Sequence, residues 1–346
     1  MSTTSLGGGL LPDRHPTGDF FVCDLLGASP KDDLGTMEHP IFSLSTRPDR
    51  RVLSYEHNDT QVEVTPSVKG RATIHDKDIL IYCISQLMAA LNAGREISRR
   101  LTLTAHDLLV ATNRDTSGDA YARLREAFER LAGTRITTNL TTGGLQTTRG
   151  FGLIESWEIL RRAPKTKQDT KRGGGGRMVS VQVVLSEWLF RAVQAKSVLT
   201  LSRDYFRLRK PLERRLYELA RKHCGRQPEW KISVATLHKK AGSAAPVRVF
   251  RAAVRKMIAA DHLPDYSLSE EEGDIIRFAR RGQVIEPGAG PVLSSEALEH
   301  VRALAPGADI YALEAEWRHF WANSGRPRLG NADKAFLGWV KQRIAT

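Results

Sequence analysis

Arg248, Arg251 and Arg255 stand three and four residues apart in the stretch VRVFRAAVRKMIAADH. On a helix that spacing places them on one face. The opposite face is then a buried stripe of Val247, Phe250, Val254, Met257 and Ile258. A guanidinium lying in a major groove can donate two hydrogen bonds to O6 and N7 of guanine. Arg248 and Arg251 are therefore candidate base readers, and Arg255 and Lys256 candidate base or phosphate contacts. Lys239 and Lys240 in VATLHKKAG just before, and Arg277 and Arg280 just after, place further charge where phosphates would run. A second, weaker set is Arg114, Arg123 and Arg130: Arg123 and Arg130 share a helix face, and Arg114 lies in the turn before it.

Residues for catalysis are missing from this picture. No G-x-x-x-x-G-K-[ST] occurs, and the tract GGGGRMVS lacks the lysine and the Ser/Thr spacing of a phosphate loop. A metal-dependent rolling-circle nickase would need a His-x-His pair, and the chain has none. The acid clusters HDKD (75 to 78) and EEEGD (270 to 274) read as a helix cap and a turn. Cys23, Cys83 and Cys224 are odd in number and far apart, so neither a disulfide framework nor a zinc site is expected. The expectation is a protein without catalytic residues, cofactor or metal, and not an enzyme.

The charge distribution points to the partner. Over 346 residues, 52 Lys and Arg face 39 Asp and Glu, a formal net charge of +13. Between Leu199 and Ala260 there are 16 basic residues against 4 acidic ones. A further run from Arg161 to Arg177 has seven basic residues and one acid. An even solvated surface would mix its signs, so a polyanion, double-stranded DNA, is the expected partner. No apolar run is long enough to span a bilayer. Met1 to Pro12 lacks the basic start and apolar core of a signal peptide, so a flexible tail and a cytoplasmic location are expected.

The elements that must hold these arginines repeat one order. The spacing predicts a buried helix from His75 to Ala93, capped by Asp76 and ended by Gly94. A short helix from Ala105 to Ala111 begins at Thr104 in a variant capping box. A third helix from Asp119 to Ala132 carries Tyr121, Leu124, Phe128 and Leu131 on one face. A hairpin turning at Gly143-Gly144 follows, and then RMVSVQVVLS as a strand. The basic glycine-rich stretch from Ala163 to Gly176 is either a phosphate-touching or a merely solvated loop. In the second half a helix over KPLERRLYELARKH, a strand Trp230 to Ser233, helices at VATLHKKAG and Val247 onward, and strands around the acidic turn EEEGD repeat that order. The expected fold class is α+β: two tandem winged-helix domains plus a small C-terminal helical module. The expected boundaries are an N-terminal arm 1–37, a first domain 38–198, a second domain and main DNA reader 199–281, a linker 282–292, and a module 293–346. In the module, Trp317, Phe320, Trp321, Phe336 and Trp339 read as a small aromatic core rather than a base-stacking platform.

Three long blocks, HPIFSLSTRPDRRVLSYEHN, VEVTPSVKGRATIHDKDILIYCISQLM and LSRDYFRLRKPLERRLYELARKHCG, resemble the plasmid replication initiator protein A family. The resemblance runs from about Glu38 to Gly282 and leaves out the last 55 residues or so. It implies iteron-type initiation: binding of directly repeated origin sites, melting of an adjacent AT-rich region, and recruitment of the host initiator and replicative helicase. Some members dimerise through the first domain and repress their own promoter, so a homodimer is a further state the resemblance admits. The competing reading is a transcriptional repressor of the same fold, which would bind a palindromic operator as a dimer.

Overall fold

The computed structural model describes residues 9–15, 29–57, 60–142, 145–161, 178–225, 227–281, 291, 293, 295–305, 310–324 and 329–345. The chain enters the core at β1 (Lys31–Asp33) and the short helix α1 (Leu34–Glu38), whose N-cap Asp33 accepts from Thr36 N. Asp32, Asp33, Thr36 and Met37 are buried. The expected arm 1–37 is therefore corrected: residues 31–37 belong to the core, because β1 is paired and its acids face a buried lysine. Strands β2 (Leu53–His57) and β3 (Thr60–Thr65) pair antiparallel, as their alternation predicts. The next helix, α2 (Lys77–Asn92), is buried over its first twelve residues. Asp76 occupies its N-cap position but does not cap it; the carboxylate takes Thr73 N and the Arg130 guanidinium instead.

Strand β4 (Arg100–Thr104) runs into α3 (Ala105–Ala111), which Thr104 caps as expected. Helix α4 (Gly118–Gly133) buries Leu124, Phe128 and Leu131, with Tyr121 half-buried. Beyond it the predicted hairpin forms, but its place as the wing needs correction. Three strands follow α4: β5 (Arg135–Thr142), β6 (Leu145–Gly152) and β7 (Ile154–Arg161). β5 and β6 join β3 and β2 in a four-stranded sheet, ordered β2-β3-β5-β6. The wing is the next pair instead: β7 with β8 (Met178–Leu185), in a sheet ordered β4-β8-β7. The stretch joining β7 to β8, 162–177, contains the basic glycine-rich run and lies outside the described residues, as does the Gly143-Gly144 turn.

The second unit repeats this arrangement without the extra hairpin. After α5 (Glu187–Gln194), β9 (Val198–Thr200) and a 3-10 turn (Arg203–Arg207) comes α6 (Pro211–Cys224), with Pro211 at its first position. There follow β10 (Glu229–Ser233), α7 (Val234–Ala241), α8 (Val247–Ala260), β11 (Tyr266–Glu271) and β12 (Ile275–Arg280). The sheet order β10-β12-β11 matches β4-β8-β7, the first strand pairing with the last of three in both. Each unit is thus a winged helix: helix, strand, two helices, then a hairpin folded back onto the strand.

No linker separates the two units. One apolar core runs continuously from Met37 to Phe278. β9 spans the expected boundary at 198/199 and pairs antiparallel with β1. Across the joint lies a buried ionic network. The Lys77 Nζ, fully buried, is 2.6 Å from Asp32 and 3.0 Å from Glu218 of α6. Arg214 reaches Asp78 at 2.5 Å, and Tyr205 donates to Glu218 at 2.7 Å. Arg215 donates to the carbonyls of Met37 at 2.9 Å and Lys240 at 2.8 Å. Burial works against the Lys77 charge, but Asp32, Glu218 and Asp33 outweigh it and raise its pKa. Burial carries the Asp32 carboxyl up to about 8 in spite of Lys77.

The C-terminal module is three helices, α9 (Ser295–Leu304), α10 (Ile310–Asn323) and α11 (Ala332–Ala345), with a small core of its own. Trp317 and Phe336 pack there with centroids 5.2 Å apart. Phe320, expected in that core, is instead exposed. The expected linker, apart from position 291, lies outside the described residues.

Candidate nucleic-acid interface

Helix α8 is positioned by the turn before it. Ser233 caps α7 by accepting from Thr236 N, and α7 ends on Gly242 at φ 66°. Only glycine adopts that left-handed conformation without strain, and a Cβ there would lie 2.5 Å from Pro40 Cβ. The chain then reverses. The His238 ring bonds the Ala245 carbonyl at 2.7 Å and packs edge-on to Phe250. Pro246 supplies the first carbonyl of α8, accepting from Val249 N and Phe250 N.

Phe250, Val254 and Met257 make the buried stripe, as expected, and Ile258 packs beside it. Val247 departs from the expectation: it is 38% exposed. One helical turn before Phe250 the core has already ended, so the first turn of α8 projects beyond it. Val249 beside it is 48% exposed, and Arg248, Ala252 and Lys256 are exposed as well. These residues form the outward face.

The four candidate readers on this helix divide in two. Arg248 and Lys256 make no side-chain hydrogen bond or ion pair among the described residues. Arg251 does not stand free. Its Nε and Nη2 bind both oxygens of Asp274, at 2.8 and 2.6 Å, in the β11–β12 turn. Arg255 grips Glu270 of β11 in the same forked way, both contacts at 2.8 Å. Hydrogen bonds from these arginines lower the pKa of Asp274 and Glu270. The expectation that Arg251 is free to read bases is corrected: it braces the wing against α8, because the acidic turn lies within its reach. The wing arginines are similarly engaged, Arg277 with Glu229 at 2.5 Å and Arg280 with the Gly225 carbonyl at 3.4 Å.

Of the lysine pair, Lys239 is exposed and free of partners among the described residues. Lys240 is buried, with its Nζ 2.5 Å from Glu38 Oε1. Its assignment as a phosphate contact is corrected, because its ammonium is buried and taken by Glu38 at the end of α1. Burial opposes the Glu38 charge, but Lys222 and Lys240 hold its pKa down at about 2.

In the first unit, Arg130 binds Asp76 with both nitrogens, at 2.7 and 2.8 Å. Arg114 binds Asp78 at 3.1 Å and the His75 carbonyl. Both were expected to contact DNA; the structure shows them fastening α4 and its preceding turn to α2. Arg123 alone of that set is exposed and unpaired among the described residues. It borders a cleft of about 520 Å³ that Arg14, Arg47 and Arg209 also line. Sequence reasoning missed Val249, Ala252 and these last three arginines. Periodicity could have placed Val249 and Ala252 on the exposed face, but Arg14, Arg47 and Arg209 lie too far apart in the chain to signal one another. In the two acid clusters, Asp76, Asp78, Glu270 and Asp274 are engaged by these same arginines. Among the described residues no three His, Cys, Asp or Glu gather as a metal site, and no helix is long and apolar enough to cross a membrane.

Three comparisons place the chain among known proteins. The family model described as replication initiator protein A matches residues 31–268. The chain is similar, at 37% identity over 267 residues, to a protein of Wigglesworthia glossinidia brevipalpis described as a replication protein; the match covers 76% of this chain and 94% of that one. In fold it is similar to a crystal structure of domains 2 and 3 of RctB, with a TM-score of 0.51 and 15% identity, over 70% of this chain and 96% of that one.

Proposed function

Because this chain belongs to the replication initiator protein A family, we propose that it initiates plasmid replication by binding repeated sites in origin DNA with α8 in the major groove. The observation that carries this reading is the outward face of α8. It is basic, projects beyond the core and is free of internal partners at Arg248 and Lys256, while Arg251 and Arg255 hold the wing beside it. Such a helix presents its N-terminal residues to base edges. Arg248 then pairs with guanine, Lys256 and Lys239 neutralise phosphates, and Val249 and Ala252 offer apolar surface to thymine methyl groups. Arg277 and Arg280 keep the wing in place.

Melting of the origin and recruitment of the host initiator and helicase complete the proposal. The chain acts on DNA by binding and deforming it, without catalysis of its own. A dimer is its second state, in which it represses its promoter.

Footprinting of DNA flanking the gene tests the reading. The wild-type chain should protect regularly spaced direct repeats. Arg248→Ala should weaken binding by about tenfold to a hundredfold, as expected for loss of one bidentate base contact. A single palindromic footprint would replace the initiator with a repressor. Repeats still protected at full affinity by the variant would remove α8 from the interface.

A further inference from the structure

The cleft beside α4 is lined by residues of both units. From its geometry we infer that it is a phosphate site, holding the sugar-phosphate backbone of the bound duplex where the two units meet. The inference rests on the DNA-binding function proposed above, and it adds a contact surface made by neither recognition-helix face alone.

The cleft has a volume of about 520 Å³ and is walled by stretches far apart in the chain: residues 11–14, 45–48, the start of α2, the first half of α4, and 206–214. Its arginines fall into two groups. Arg114 and Arg214 are spent on Asp78, and Arg130 on Asp76. Those charges are compensated within the protein. Arg47, Arg123 and Arg209 are exposed and make no side-chain hydrogen bond or ion pair among the described residues, and exposed Arg14 feels only the field of Asp115. Of the other lining acids, Glu126 lies 3.8 Å from Arg130, and Asp115 is hydrogen-bonded to Ser117. Seven arginines against four acids in the lining leave the rim net positive, with Arg47, Arg123 and Arg209 unpaired on three separate segments while Arg14 faces Asp115. Gathering like charges around one concavity is unfavourable unless an anion occupies it.

The chemistry of the rim selects that anion. Guanidinium forks match the oxygens of phosphate, and the hydroxyl residues Ser45 and Thr46 line the same wall. The lining rings do not provide an open slot for a base: Phe206 is buried beneath the surface and His75 is half-buried. A strand passing its backbone through fits this lining better than a free nucleotide, whose base would find no platform.

The test is a salt series of binding titrations on the full chain, using a labelled duplex carrying the footprinted repeats and a random duplex of equal length. The variants are Arg47→Ala/Arg209→Ala and Arg47→Lys/Arg209→Lys. Neither residue has an internal partner among those described, so the melting temperature should not move. The alanine pair should weaken both duplexes alike and lower the slope of log K against log salt by about 2, one phosphate per arginine. The lysine pair should restore most of that slope. An unchanged slope in the alanine pair, with the wild type binding normally, overturns the inference. So does weaker binding of ADP or pyrophosphate to the alanine pair with the duplex slope intact, which would make the cleft a free-nucleotide site. A slope that falls in a protein showing no preference for the repeats would support the cleft and sink the initiator reading.

Discussion

Arg248 and Arg251 are the same residue type on the same helix, and a neighbour separates their roles. Asp274 lies within 2.6 Å of Arg251, while Arg248 meets no acid among the described residues. The methyl surface next to Arg248 then matters for specificity. Replacing single thymines in the protected repeats by deoxyuridine removes one methyl and nothing else. Binding should weaken by about fourfold for each methyl packed against protein. In Val249→Ala that sensitivity should shrink at the affected position. Competition titrations would show it; equal binding at every substituted thymine would eliminate apolar readout by this face. Lys77 illustrates the opposite case, a charge with no access to solvent. Lys77→Met would leave Asp32 buried without its cation and Glu218 with Arg215 as its one remaining cation, and should cost about 3–5 kcal/mol. Urea unfolding measures it, and a loss below about 1 kcal/mol would mean that protonated Asp32 tolerates the site unaided.

The elements carrying these residues depend on a few backbone constraints. Gly242 both ends α7 in the left-handed region and leaves room for Pro40, so α7 and the first unit close on one another there. Gly242→Ala should destabilise the chain by on the order of 2 kcal/mol, from backbone strain and overpacking together. A denaturation midpoint equal to that of the wild type would contradict this. The wing is a second such constraint. With two forked ion pairs it is clamped to α8, so removing Asp274 should release Arg251 and let the hairpin move relative to the helix. Asp274→Asn is expected to alter the footprint at the edges of each repeat while leaving the centre protected, since Arg248 keeps its place.

At the scale of the whole molecule, the joint between the units responds to acid. Burial, reinforced by nearby cations, lowers His39, His75 and His223 to about 4 each. Around His39 and His223 stand Glu38, Lys222, Lys240 and Arg215; around His75 stand Arg214, Arg114, Asp78 and Asp76. These imidazoles stay neutral in the fold, whereas the unfolded chain binds their protons below its ordinary histidine value of 6.5. Asp32, held up to about 8, takes up a proton on folding and opposes this, but three imidazoles outnumber it, so stability should fall as the pH drops from about 6.5 to about 4. Glu38 follows with its own loss as the pH falls further, from its ordinary value of 4.5 towards about 2. Urea midpoints across that range check the prediction, and a flat profile between neutral pH and about 4.5 would refute it. Both units should lose their signal together, since one core and one ionic network run through them.

The sequence by itself determined the parts that depend on near neighbours. Helical periodicity set α2, α3, α4, α6 and α8, and Thr104 and Ser233 marked the starts of α3 and α7, because caps and amphipathic faces act over a single turn. The bias of positive charge towards the second unit, and with it the face holding Arg248 and Lys256, was legible for the same reason. Strand partners were not. β5 and β6 read as a wing by local pattern, yet they join β3 and β2, since pairing is decided by which edges meet after collapse. The fate of each arginine was equally hidden. Arg130 meets Asp76 across 54 residues, Arg214 meets Asp78 across 136, and Lys240 meets Glu38 across 202. Coulomb attraction depends on distance in space, so only the tertiary structure decided which basic residues are spent inside the protein and which stand unpaired at its surface.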